Sequence, residues 1–319
     1  MQIVPIDIHR VGELVKIWNE ELAEQFPMRE TLFIQNSFQD ENVFLPGSLM
    51  ALNAQGEVVG FIISKRWQEA LAVNIGAHFG WIQVLLVRSD SRNQGIGSIL
   101  LKNVESALEE SGVTEILIGR DPWHYFPGIP AEYEECAKWF DHKGYENIGN
   151  DYDLIASYDE SSAPIKPEID SVEVVLLTID EKDAFLQFLH RVFPGRWEYE
   201  AIHYFEKGGT GREFVILKKA GEIIGFCRIN DDKSPMIAQN VYWAPLFGET
   251  LGGIGPLGID QKERGNGYGL AVVQAGIYFL RERNIKRIAI DWTGLIDFYG
   301  KMNYKVWKDY LKYRKKIGS

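Results

Sequence analysis

The sequence predicts a mixed α/β fold built twice in tandem, each copy a mixed sheet flanked by helices. Three observations predict it: a β-hairpin pattern that occurs twice, a glycine-rich strand-to-helix turn that occurs twice, and a polar stretch between the copies. A chain of 319 residues is long for one ordinary domain and suits two, each able to bury its own core.

The hairpin pattern is Gly56-Glu-Val-Val-Gly60-Phe61-Ile62, which recurs as Gly221-Glu-Ile-Ile-Gly225-Phe226-Cys227. Each follows an apolar run, Leu49 to Leu52 or Phe214 to Leu217, as the two arms of a hairpin should. The turn Arg92-Asn-Gln-Gly95-Ile-Gly97 recurs as Arg264-Gly-Asn-Gly267-Tyr-Gly269, and the pair Phe140 and Tyr145 recurs as Tyr299 and Tyr304. Blocks repeated in the same order are the mark of duplication. Between the copies, Asp159 to Asp170 (DESSAPIKPEID) is polar, holds two prolines and has no apolar period. The expected organisation is therefore a first domain over 1–158, a linker over 159–170 and a second domain over 171–319.

Within each copy the order is similar. Helical spacing marks Asp7 to Gln25 (Leu14, Val15, Trp18, Leu22) and Asp180 to Val192 (Phe185, Leu186, Leu189). After the hairpin, an apolar strand (Trp81 to Val87, or Ile254 to Ile259) runs into the glycine turn. The turn opens a helix, apolar in the first copy at Ile96, Ile99, Leu100, Val104, Ala107 and Leu108. A further strand follows (Glu115 to Ile118, or Arg287 to Ile290), then a short helix and a last pair of strands.

Composition excludes several classes. The 45% hydrophobic and 25% charged content is that of a folded globular chain. Forty-five acidic against 34 basic residues, a formal charge of −11, repel a polyanion and argue against nucleic acid as partner. Cys136 and Cys227 stand in no metal-ligand spacing and no disulfide framework, so no metal is expected. Met1 to Glu20 lacks a basic-then-apolar leader, and no window approaches the ~18 apolar residues of a membrane span. The expectation is a cytoplasmic protein without a membrane partner.

The glycine turns carry the chemistry. A strand running into Arg-x-x-Gly-x-Gly and then a helix gathers free backbone N–H groups and the positive helix end at one point, which favours a phosphate. Glycines keep Cβ atoms out of the way, and Arg92 and Arg264 add positive charge. Neither copy has the GxxxxGK[ST] spacing of a nucleotide-triphosphate loop or the third glycine of a dinucleotide fingerprint.

Both turns match the R/Q-x-x-G-x-G/A signature of the Gcn5-related N-acetyltransferases, and the chain resembles that family once per half. The resemblance implies that the turn grips the pyrophosphate of acetyl-CoA and that the fourth and fifth strands splay to admit pantetheine. Candidate coenzyme contacts are Leu86, Val87, Arg92, Asn93, Gln94, Gly95, Ile96 and Gly97 in the first copy. In the second they are Leu257, Ile259, Arg264, Gly265, Asn266, Gly267, Tyr268 and Gly269. Pro256 within the fourth strand of the second copy suits a strand that leaves its neighbour, and the family implies a bulge there that aims an N–H, that of Leu257, at the thioester oxygen.

Acetyl transfer requires the acceptor amine to lose a proton and the leaving thiolate to gain one. The family commonly uses a tyrosine after the fifth strand as the acid. Tyr299 stands at that position and Phe140 replaces it in the first copy, so the second half is expected to be catalytic and the first degenerate. Asp291 and Asp260 are candidate bases, and a water chain would serve the same step. The insertion Arg120 to Pro130 is stiff and aromatic; it roofs a pocket or packs between the halves, with His124 a structural histidine. The implied activity is acetylation of a primary amine of a small molecule, an amino sugar among the candidates. A protein or aminoglycoside amine is the alternative acceptor, and a non-catalytic acyl-CoA sensor the alternative of another class.

Overall fold

The computed structural model describes residues 1–73, 75–159, 163–248 and 250–318. The first copy runs β1 (Gln2–Pro5), α1 (Val11–Leu22), α2 (Glu30–Ser37), β2 (Leu49–Leu52), β3 (Val58–Arg66), β4 (Phe79–Val87), α3 (Ile96–Glu110), β5 (Glu115–Ile118), β6 (Ile129–Pro130), α4 (Glu134–His142) and β7 (Glu146–Ser157). The second runs β8 (Val172–Leu176), α5 (Lys182–Val192), α6 (Arg196–Glu206), β9 (Phe214–Lys219), β10 (Glu222–Asn230), β11 (Leu251–Ile259), α7 (Tyr268–Glu282), β12 (Arg287–Thr293), α8 (Ile296–Gly300) and β13 (Lys305–Lys316).

Contacts divide the chain into two compact units. The first holds Met1–Leu71, Gly76–Asp151 and Lys308–Ser319, and the second holds Ala72–Ile75 and Tyr152–Trp307. The units thus do not follow a single cut at 159–170. In the first unit β1 to β4 are antiparallel neighbours, β4 and β5 are parallel, and β13 closes the order antiparallel to β5 (Arg314↔Leu117). In the second, β8 to β11 are antiparallel, β11 and β12 are parallel, and β7 lies antiparallel to β12 (Ile290↔Leu154). The last strand of each copy therefore completes the sheet of the other. A repeat is read from order along the chain, but a compact unit is set by which ladder a strand joins. Of the expected linker, residues 160–162 lie outside the described residues.

The apolar face of β7 explains its place: Leu154 and Ala156 join the core of the second unit with Val272, Val273 and Leu280 of α7 and Ile254 and Ile288 of the sheet. Likewise Tyr313 of β13 joins Leu100, Leu101, Val104 and Leu108 of α3, Ile82 and Ile116 in the first core. Period-two apolar spacing on a strand against a 3.6-residue stripe on a helix gives these layers.

The structure differs from expectation in two further ways. A single long strand follows α4 and α8 where a pair was expected. Each copy also has a second helix, α2 and α6, that periodicity did not reveal. In α6 the buried residues are Glu198, Tyr199, Glu200, Ala201, Tyr204 and Phe205, so charged and aromatic groups share the covered face and no clean apolar stripe marks it.

The insertion in the first copy is buried throughout Asp121 to Pro130. Phe126 stacks on Trp18 of α1 at 5.6 Å and meets Phe26 edge-on at 4.8 Å, while Tyr125 stacks on Phe33 of α2 at 6.0 Å. The Tyr125 hydroxyl lies 2.7 Å from Ser37 Oγ, and Gln83 of β4 donates to Trp123 O at 3.0 Å. His124 Nδ1 lies 2.9 Å from Asp121 O, a buried structural contact. Beneath them the fully buried Lys65 Nζ sits 2.7 Å from Asp40 and 2.6 Å from Asp121. The two carboxylates outweigh the effect of burial on Lys65 and hold its pKa above the ordinary lysine value.

Candidate active site

The parallel ladder between β11 and β12 ends at Ile254↔Ile290. β11 then continues beside β10, with a register shift between Cys227 and Ile229 that sets a bulge at Gly255–Pro256. β12 has its own shift between Ile290 and Thr293 against β7, which places Asp291 and Trp292 out of the ladder. The two strands separate at facing bulges, and side chains turn into the gap.

Backbone donors line that gap. Asp260 N donates to Ile224 O at 2.8 Å, so Asp260 and Ile224 are a hydrogen-bonded pair of the antiparallel ladder. Alternation along the ladder then turns the N–H groups of Leu257 and Ile259, opposite Cys227 and Gly225, away from β10 and toward the open side.

The turn after β11 has left-handed residues at Gly265 (φ 87°) and Gly267 (φ 78°), and Gly267 is the N-cap of the 15-residue α7. No atom lies within 4 Å of a Cβ added at either glycine, so the space in front of the amides is open. Arg264 Nε donates to Ile259 O at 3.3 Å and ties the turn to the strand end. In the first unit Arg92 Nε makes the same tie to Val87 O at 3.0 Å, with Asn93 (φ 62°) and Gly95 (φ 80°) in the left-handed positions. Leu86 and Val87 end β4, Gln94 is exposed, Ile96 is buried at the start of α3, and Gly97 lies below Trp139. There the arginine is also ion-paired with Glu21, which takes a second bond from Ser89 N at 2.7 Å. Arg264 has no carboxylate partner among the described residues.

A cavity of about 810 Å³ joins these elements in the second unit. Of the expected residues it brings together Leu257, Ile259, Arg264, Gly265, Gly267, Tyr268, Gly269, Asp291 and Tyr299. It leaves out Asn266, whose exposed side chain donates to Glu263 O at 3.1 Å. Asp260 is also outside it, tied to Arg191 at 2.7 Å. The first-copy candidates belong to the other unit. Arg196, Trp197, Glu200, Gln239, Trp292 and Phe298 line the cavity as well, and sequence reasoning missed them. No motif marks them; four come from α6 and the segment before β11.

Tyr299 is 5% exposed and stands at the cavity, its hydroxyl with no hydrogen-bond partner among the described residues. Burial, with Cys227 and Asp291 adding to it, pushes its phenol well above the ordinary value, so it keeps its proton at neutral pH. Asp291 Oδ1 accepts from Asn240 Nδ2 at 3.1 Å and would lie 3.5 Å from a Cβ at Gly255. Burial raises its pKa above the usual carboxylate range, opposed by Arg196 and by the Asn240 bond. Phe140, in place of Tyr299 in the first copy, is buried against Trp139 and Tyr145. No group of histidine, cysteine, aspartate and glutamate suited to a metal occurs among the described residues, and no helix there is long and apolar enough to cross a membrane.

The open turn makes a direct prediction. Gly267→Val forces a branched side chain into φ 78° and places it before the amides, so if the turn holds a coenzyme diphosphate as the sequence leads one to expect, acetyl-CoA should bind about tenfold or more weakly. Calorimetric titration of the variant checks this, and unaltered affinity would remove the turn from coenzyme binding.

Comparison with known proteins gives the fold and the family. Mycothiol acetyltransferase of Thermobispora bispora is 23% identical over 156 residues, 42% of this chain and 46% of that protein. A GCN5-related glucosamine N-acetyltransferase region of a fungal multi-domain GH3 beta-N-acetylglucosaminidase superposes with a TM-score of 0.86 at 21% identity, over 98% of this chain and 38% of that one. The chain thus spans less than half the length of both. A tandem GNAT protein from the clavulanic acid biosynthesis pathway superposes with a TM-score of 0.70 at 16% identity, over 100% of this chain and 99% of that one. These likenesses give the fold, two GNAT-like domains in tandem. The Acetyltransferase (GNAT) family pattern itself matches residues 12–125 and 182–304, one stretch in each copy, and the chain belongs to that family.

Proposed function

We propose that the second unit transfers the acetyl group of acetyl-CoA to the primary amine of a small molecule, an amino sugar, by direct attack. One observation carries this reading: the same cavity holds the open glycine turn, the unpaired edge of β11, Asp291 and Tyr299. The groups present fit the coenzyme. Amides at Gly265 to Gly269 and the positive end of α7 would take the diphosphate, and the N–H group of Ile259 would take a polar atom of the pantetheine arm. Gly255 and Ile259 are separated by about 13 Å along extended β11, which sets the bulges well away from the turn. Acetyl-CoA supplies an acetyl group activated as a thioester.

Asp291 takes a proton from the acceptor's ammonium and so exposes the nitrogen lone pair. The Leu257 N–H faces the carbonyl oxygen as charge gathers there. Tyr299 gives its proton to the departing sulfur as the carbon–nitrogen bond replaces the carbon–sulfur bond. It regains a proton from the nitrogen, which sheds one as the amide forms. The first unit is the degenerate copy. Supporting that, Phe140 has no hydroxyl, Arg92 is neutralised by Glu21, and the insertion packs on α2 and on Gln83, which the register shift between β3 and β4 leaves out of the ladder, where α6 and the β11 bulge frame the cavity of the second unit. The amino-sugar acceptor draws support from the fungal glucosamine N-acetyltransferase region and its match over nearly the whole chain.

Thiol release from acetyl-CoA, followed over a panel of amines, tests the reading. Amine-dependent turnover that is fastest with amino sugars is expected. Coenzyme binding without turnover on any amine would leave a non-catalytic sensor, and turnover confined to peptide or aminoglycoside amines would move the acceptor class.

The pH profile follows from Asp291. A carboxylate that acts as base works only when ionised, so activity is lost as pH falls through its pKa. Because burial raises that pKa, the acid limb of kcat should lie above the usual carboxylate value of about 4. Glu200 in the same cavity is likewise raised by burial, with Asp291 adding to it. Asp291→Asn should lower kcat and change the limb; an unchanged profile would assign the base elsewhere.

A further inference from the structure

Beside Asp291 the cavity wall carries a polar cluster that the transfer chemistry leaves unused. Arg196 and Glu200 are one turn apart on α6, and both line the cavity. Glu200 is 1% exposed. Three donors surround its carboxylate, all at 3.4 Å: Arg196 Nη1 and Gln239 Nε2 at Oε1, and Arg228 Nη1 at Oε2. Arg196 Nη1 completes no hydrogen bond among the described residues, and neither do Nε and Nη2 of the buried Arg228. Arg196 therefore keeps an unused donor beside the Glu200 carboxylate in the wall of the cavity, which a native site rarely leaves unfilled.

The guanidinium is held in place. It lies over the Trp292 ring at 4.1 Å. Trp292 in turn has φ 45°, with its N–H donating to Asp153 Oδ1 at 3.0 Å. A bulky residue in the left-handed region is costly and persists where its surroundings over-determine it, typically at a functional site.

The donor set identifies the ligand group. Arginine only donates, and an ionised glutamate only accepts. An ammonium would suit Glu200 but meet Arg196 and Arg228, and an anion would meet Glu200 and Asp291. A neutral hydroxyl satisfies both sides with one oxygen. We infer that Arg196 and Glu200 form a hydroxyl clamp that selects acceptors with a hydroxyl close to the amine, Arg196 donating to the oxygen and Glu200 accepting its hydrogen. This rests on the proposed amine acetylation in the second unit.

The test compares glucosamine with its analogues in which a single hydroxyl beside the amine is replaced by hydrogen, in wild type, Arg196→Met and Glu200→Gln. Arg196→Met keeps an apolar stem against Trp292 and leaves the Arg228–Glu200 contact in place. Thermal melting and acetyl-CoA affinity report whether each variant is folded. In wild type, kcat/KM should favour one hydroxylated acceptor over its deoxy analogue by about 10²-fold or more, because a site built around a hydroxyl rejects the analogue that lacks it. In Arg196→Met that ratio should fall to about tenfold or less, with most of the change in KM. A wild-type ratio near one for every analogue, or a ratio that both folded variants retain, overturns the clamp while leaving amine acetylation standing. Absence of turnover with every amine removes both.

Discussion

Tyr299→Phe is expected to lower kcat by about 10²–10³-fold, the usual contribution of a positioned general acid, with acetyl-CoA affinity unchanged. The ring stays, so its packing against Phe298 at 4.9 Å and Tyr304 at 6.1 Å is kept and only the hydroxyl is lost. Steady-state kinetics with a saturating amine, set beside calorimetry of coenzyme binding, separates the two quantities. If turnover survives intact, the proton for the sulfur comes from another donor. If affinity falls together with turnover, Tyr299 acts in binding. The first copy makes the same substitution naturally at Phe140, so the variant also asks how much of its expected silence that one hydroxyl explains.

The second large effect is on stability. Lys65→Met should destabilise the first unit by about 3–5 kcal/mol, because it strands the carboxylates of Asp40 and Asp121 without a counter-charge in the interior. All three side chains are at most 1% exposed, so water cannot compensate. Denaturant unfolding followed by tryptophan fluorescence would show an early transition for the first unit, since Trp18 and Trp123 lie in its buried interior. A shift below about 1 kcal/mol would mean that the carboxylates take up protons cheaply once Lys65 is gone. Replacing Asp40, Lys65 and Asp121 together by apolar residues should recover much of the loss, as buried ion groups often tolerate such exchange.

The parts legible along the chain were those whose cause is local. The hairpins, the strand before each turn and the helix after it depend on side-chain period and on glycine within a few residues, and β5 was expected at the residues where it forms, Glu115–Ile118. The candidate coenzyme turn was legible for the same reason: its chemistry needs glycines at fixed short spacing before a helix. The motif gives the position of Asn266 but not its side chain's direction, which the structure shows turned back to Glu263 O.

The polar pairs that meet across the fold were not legible. Glu200 meets Arg228 across 28 positions, Asn240 meets Asp291 across 51, and Lys65 meets Asp121 across 56. Each is an ordinary residue type with no neighbour that sets it apart, and α6 carries its charged members on a buried face. The exchange of β7 and β13 was hidden likewise, since either strand has the alternation to fit its own copy's sheet.

Duplication, the layered α/β order and two glycine turns able to face a phosphate were thus contained in the amino-acid order, because neighbours in the chain produce them. Which strand closes which sheet, that an insertion fills one unit while a cavity opens in the other, and which charges meet at that cavity were decided by folding. Those outcomes depend on distant groups being brought together and withdrawn from water, where an ion pair or an unpaired donor counts for several times its worth at the surface.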